Sequence, residues 1–158
     1  HSPRPASATS RAARLNSGVS AHRKIMANRL PPPLATGTLG EILVQLRLLQ
    51  FGVQAAPPIK DTGNDLVAFR GRTVRTLQVK TSTNRISQDR RLPEHYDMLA
   101  FVFLRSADGV ITLDSSRIFL VPQGSVHGTR RNLASLTQYE LVHDNVDHSM
   151  RLLDRLFT

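Results

Sequence analysis

The chain has no cysteine and no tryptophan, few aromatics, no acid in its first forty residues and no long apolar run. Without cysteine there are no disulfides, no thiolate-ligated zinc or iron–sulfur clusters and no thiol nucleophile. Aromatic residues make up 5% (two Tyr and six Phe), too few for a platform on which single-stranded bases stack. Gln and Arg interrupt the apolar runs well short of the ~20 residues a spanning helix needs, so no membrane partner is expected. What remains is 158 residues, 40% of them hydrophobic, which suits one domain with a core.

Charge is the first positive signal. Twenty-one Lys and Arg against twelve Asp and Glu leave +9, which points to a polyanion such as nucleic acid. Residues 1–40 hold Arg4, Arg11, Arg14, Arg23, Lys24 and Arg29, for +6; residues 41–158 hold fifteen basic and twelve acidic groups, for +3. Residues 1–34 read as a disordered basic arm or upstream segment, too poor in large apolar side chains to offset its ordering entropy. Residues 35–158 read as the domain. Three roles for the arm stand open: a nucleic-acid arm, an organellar targeting segment, or sequence upstream of a natural start at Met26. The expected location is otherwise the bacterial cytoplasm or nucleoid.

Pro31, Pro32 and Pro33 read as a stiff spacer before a helix over 38–51. Thr38 and Glu41 have capping-box spacing, and Ile42, Leu46 and Leu49, widened by Leu43, form an apolar ridge that Gly52 ends. VQAAPP leads to the first strand, and LVAF (66–69) and VRTLQVKT (74–81) make a hairpin around Arg70-Gly71-Arg72. MLAFVFL (98–104) predicts a central strand covered on both faces. Strands over 110–113 and 117–122 follow the Asp108-Gly109 turn. Residues 82–96 read as a loop with at most a short helix, and 124–140 as mostly loop. Asp144 or Asn145 caps a last helix with Val146, Met150, Leu153 and Phe157 close to one face. The class is α/β, a central mixed sheet flanked by helices.

The chemistry gathers in DTGNDLVAFRGRTVRTLQVKTS and the upstream TLGE. Gln78 and Lys80 are two apart on one strand and share a face, while Asp65 opens the strand before it. If the hairpin closes, these groups meet at one end of the sheet, with Glu41 approaching from the first helix. Two carboxylates, an amide oxygen and the Val79 carbonyl form an oxygen cage suited to Mg2+, or Mn2+. The Lys80 ammonium would orient or help deprotonate an attacking water.

This pattern resembles the PD-(D/E)XK nuclease superfamily, which includes restriction enzymes and Holliday-junction resolvases. The resemblance covers roughly residues 37–104 and implies a core of helix, three antiparallel strands, helix and a further strand. It assigns the strand-two aspartate to Asp65, the (D/E)XK triplet to Gln78-Val79-Lys80 and the first-helix glutamate to Glu41. It also implies a Mg2+-dependent DNA endonuclease working as a homodimer. Gln78 stands where the superfamily has an acid, so a weak or inactive nucleic-acid-binding domain of the same fold is the alternative.

Individual residues keep second readings. Glu41 also serves as a capping acid, Asp65 as a turn residue, and Gln78 and Lys80 as polar residues of an exposed strand. Gln45, one helical turn after Glu41, faces the substrate or orients Glu41. Arg70, Arg72, Arg75, Arg85, Arg90 and Arg91 contact phosphate or are solvated. The last helix, through Leu152, Leu153 and Phe157, is either dimer interface or core. His143 and His148 are spaced poorly for zinc, and Gly37 and Gly40 follow no strand, so no nucleotide cofactor is expected.

Overall fold

The computed structural model describes residues 32–60, 63–83, 92, 94–107, 110–126 and 133–158. Helix α1 (Pro32–Gln50) precedes strands β1 (Gln54–Ala56), β2 (Leu66–Arg70), β3 (Thr73–Ser82), β4 (Met98–Ala107) and β5 (Val110–Pro122). Short helices α2 (Gln123–Val126) and α3 (Leu133–Leu136), a 3-10 turn (Thr137–Tyr139) and helix α4 (Val146–Leu156) follow. The five strands lie side by side in chain order. All neighbours pair antiparallel except β3 and β4, which run parallel. The fold is α/β around a mixed sheet, as the order of elements predicts.

Local chemistry accounts for the elements. Arg70 pairs with Thr73, which leaves a two-residue turn whose first member, Gly71, has φ +61°. That left-handed backbone suits the right-handed twist of the two strands and favours glycine. Parallel pairing of β3 with β4 requires a crossover. Of the expected loop or short helix over 82–96, Ser82 belongs to β3, and residues 84–91 and 93 lie outside the described residues. Asp97 fastens the far end of that crossover, its Oδ2 accepting from Thr76 N (2.7 Å) and Thr76 Oγ1 (2.9 Å).

Helix α1 begins at Pro32, not at Thr38. Proline is tolerated in a first turn, where N–H groups have no intrahelical partner, so the expected spacer and capping box are both corrected. Gly52 (φ +75°) ends the helix: its N–H donates to Leu49 O and Val53 N–H donates to Leu48 O, a Schellman pairing. Leu48 and Val53 are fully buried beside that cap. The inward face is Leu43, Val44, Arg47 and Leu48, whereas Ile42, Leu46 and Leu49 are 54%, 43% and 60% exposed. The expected ridge therefore points outward. The helix is apolar nearly all round, so periodicity cannot choose its buried side.

The main core lies between the sheet and helices α1 and α4, and a smaller cluster of Phe119, Val121 and Leu136 lies on the opposite face. Asn145 caps α4, accepting from His148 N–H at 3.1 Å. Leu152, Leu153, Leu156 and Phe157 are buried in the core, so the alternative of an interface there is corrected. Val146, at 56% exposed, faces away from it. Strand β5 runs unbroken where two strands were expected. Ser116 bridges the strands there, accepting from Arg105 N (2.9 Å) and donating to Thr112 O (2.7 Å) beside a register shift in β4. No described helix is long and apolar enough to cross a membrane.

Candidate metal-binding cleft

One close contact fixes the cleft. Gly40 is buried, and a Cβ placed on it would lie 1.8 Å from Thr81 Oγ1 and 2.8 Å from Thr81 Cβ. Only a glycine lets the α1 backbone settle onto the end of β3 at this point. The contact brings Glu41, the next residue, over the start of β2. A cleft of about 410 Å³ opens there, lined by Thr36, Gly37, Thr38, Glu41, Asp65, Gln78, Val79, Lys80, Thr81, Ser82 and Thr83.

The four residues singled out from the sequence, Glu41, Asp65, Gln78 and Lys80, all line this cleft, as does Val79. Asp65 extends the β2–β3 pairing by donating its N–H to Leu77 O at 3.0 Å. Its Oδ2 then accepts from Val79 N–H at 2.6 Å and from Gln78 Nε2. The side chain thereby caps β3 where β2 has not yet begun. In an extended strand a residue's N–H and C=O point to the same side, so the Val79 carbonyl faces the Asp65 edge. Gln78 is 6% exposed, and its Oε1 has no hydrogen-bond partner. Asn64 Oδ1 and Thr81 Oγ1 share that condition, and these three are the only such side-chain atoms among the described residues. Buried polar oxygens without partners are costly and uncommon, and here they cluster at one end of the sheet.

Burial pushes the Glu41 carboxyl above its ordinary range, and the negative charge of Asp65 pushes it the same way. Two carboxylates thus feel one another across the cleft, the condition a cation relieves. No group of three or more His, Cys, Asp or Glu gathers among the described residues. The available donors are two carboxylates, the unpartnered Gln78 amide oxygen and the Val79 carbonyl. An all-oxygen set of this kind suits a hard divalent ion of the magnesium type and does not suit zinc. Lys80 lines the cleft and forms no ion pair among the described residues.

Other expected contacts are placed differently. Gln45 lines a neighbouring groove instead of the cleft, with its Nε2 on Glu41 O at 3.3 Å. It therefore does not orient the Glu41 carboxylate. Arg70 pairs with Asp154 of α4 at 2.7 Å. Arg75 donates to Leu156 O at 2.9 Å and Thr158 O at 2.6 Å, so both guanidiniums brace α4 against the hairpin. Arg72 is exposed at the hairpin turn. Arg85, Arg90 and Arg91 lie outside the described residues. Residue-by-residue reading missed Gly40 and Thr81. Their signal was present: a glycine just before the acid, and a threonine just after the lysine.

Compared with protein-family models, with curated proteins and with solved structures, the chain matches none.

Proposed function

We propose that this chain is a metal-dependent phosphodiesterase built on a restriction-endonuclease-like core. More particularly, it is a Mg2+-dependent endonuclease of the PD-(D/E)XK type acting on DNA. The observation that carries the proposal is Gln78 Oε1, buried and unpartnered in a cleft it shares with Glu41, Asp65 and Lys80. The element order supports it: a helix, three antiparallel strands and a further strand, with Asp65 just before the second strand and Gln78-Val79-Lys80 on the third. Net charge of +9 suits a polyanionic substrate.

Glu41, Asp65, Gln78 Oε1 and the Val79 carbonyl are the groups that would hold Mg2+ or Mn2+. When bound there, the ion would supply Lewis-acid charge at the scissile phosphate. Lys80 donates to the attacking water and to a non-bridging phosphate oxygen, fixing the line of attack. A bound cation would offset both causes that raise the Glu41 pKa, burial and the charge of Asp65. Asp65 is held by Val79 N–H and Gln78 Nε2 through one oxygen, Oδ2, which leaves Oδ1 without a donor among the described residues.

The test is cleavage of supercoiled plasmid, linear duplex, four-way junction and single strand with Mg2+, Mn2+ or chelator. Wild type is expected to cut with metal and not with chelator. Asp65→Ala should lose about 10³-fold in cleavage while keeping its DNA affinity. Equal cutting by both proteins would place the site elsewhere. A second reading has its own observation: Gln78 Nε2 already satisfies Asp65 without any ion. On that reading the amide has made the domain a DNA binder, and wild type binds DNA yet cuts nothing.

A further inference from the structure

We infer that Arg105 is a phosphate contact of the cleft, meeting the nucleic acid several nucleotides from the bond that is cut. The inference deepens the reading of the cleft as a nucleic-acid site and rests on it. Strands β3 and β4 run parallel, with Gln78 beside Leu99, Lys80 beside Phe101 and Ser82 beside Phe103. Residues side by side in such a pair share a face, which recurs at every second position. Arg105, two beyond Phe103, therefore stands on the face of Gln78 and Lys80. Strand β3 ends at Ser82, which lines the cleft, while β4 runs on to Ala107. Arg105 thus lies past the cleft's end, roughly 13 Å beyond Lys80 along the strand and about 5 Å across. A phosphate at that offset is about four nucleotides away in a duplex that follows β4, at about 3.4 Å per nucleotide.

The charge of Arg105 is free where others are spent. Arg47 is buried, Arg70 pairs with Asp154, and Arg75 holds Leu156 O and Thr158 O. Arg117 grips both carboxylate oxygens of Glu140 at 2.6 Å. The Arg105 guanidinium is exposed and forms no hydrogen bond or ion pair among the described residues. Its backbone, by contrast, is pinned on both sides by side chains. Arg105 N–H donates to Ser116 Oγ at 2.9 Å, and Thr112 Oγ1 donates to Arg105 O at 3.2 Å. Ser116 Oγ closes the ring by donating to Thr112 O at 2.7 Å. The ring spans a bulge in which Leu113–Ser116 of β5 stand against Leu104 alone. Bulges beside active sites re-aim side chains, and a fixed base lowers the ordering cost of gripping a phosphate. The bulge's one acid, Asp114, acts electrostatically on Arg47.

Fluorescence anisotropy of the full chain on a labelled duplex, in chelator so that nothing is cut, tests it. Arg105→Ala is expected to weaken binding about fivefold at ~0.1 M salt and to lower the salt slope by about one. Arg105→Lys keeps a cation and should recover most of that loss. Arg151→Ala removes the same exposed charge from α4, on the other face of the sheet, and should change affinity by less than about twofold. Ser116→Ala leaves every charge in place but frees the pinned backbone. It should cost about twofold and add nothing to Arg105→Ala in the double variant. Arg105→Ala binding as tightly as wild type overturns the inference. So does an equal loss in Arg151→Ala, which would make net charge alone the cause. A wild type that binds but never cuts, with Arg105→Ala still weaker, ends the hydrolytic reading and leaves this inference standing. A wild type that cuts with metal while Arg105→Ala binds unchanged does the reverse.

Discussion

Glu41 shows how a residue's role can be legible while its surroundings are not. The sequence pairs it with Thr38 as a capping acid or with Asp65 as a ligand; a helix that begins at Pro32 removes the capping role, and the ligand role is the one proposed above. Burial first, then Asp65, raises its pKa in the folded chain above the unfolded value of 4.5. Protons therefore favour the folded state at this group: its stability is fully present below about 4.5 and is lost as pH rises through the folded value. Glu41→Gln removes that loss. Between about pH 4 and about pH 7 the variant should gain on wild type in metal-free Tm, by about 1–2 °C after solvent screening. Added Mg2+ should stabilise wild type and leave Glu41→Gln nearly unmoved, as read by scanning calorimetry. Gln78→Glu should behave oppositely, with a lower Tm in chelator and a larger rise with Mg2+, because a third carboxylate crowds Asp65 until a cation arrives. An equal Tm in chelator and in Mg2+ would remove Gln78 from the donor set.

Among the elements, the hairpin was the most legible and the first helix the least. A glycine between alternating segments decides a two-residue turn locally, and Leu66–Arg70 and Thr73–Ser82 lie within a residue of the expected strands. The face of α1 is a tertiary decision, made by the Gly40–Thr81 contact, and no periodicity in an all-round apolar helix contains it. Gly40→Ala sets a methyl against Thr81 and should cost about 1–3 kcal/mol by urea unfolding. Thr81→Ala should restore much of that loss in the double variant, and a purely additive pair would show the two residues do not meet. For Arg75 the sequence leaves phosphate contact and a solvated tip open, because a basic hairpin looks alike whether it faces nucleic acid, water or another helix. Its hydrogen bonds to the carbonyl of Leu156 at the end of α4 and to Thr158 O just beyond it predict that Arg75→Ala costs about 1–2 kcal/mol of stability and leaves DNA affinity almost unchanged.

For the whole molecule, strand order predicts a gradient of firmness. Central strands β3 and β4 are paired on both sides, whereas β1 is a three-residue edge. Amide exchange should be slowest at Leu77–Val79 and Leu99–Val102 and fastest at Gln54–Ala56, so that Gln78 and Val79 ride on one of the two slowest strands. Uniform exchange across the sheet would contradict this. The mixed sheet itself was legible from the run of strands; its parallel step was not, since pairing direction depends on a crossover that sequence periodicity does not describe. The brace from Arg75 to Leu156 joins residues 81 apart in the chain. At ~5–20 residues per second, about 4–16 s pass on a ribosome between synthesis of the cleft's strand and arrival of the helix that steadies it. A nascent chain thus holds Asp65 and Lys80 well before the hairpin that carries them is braced.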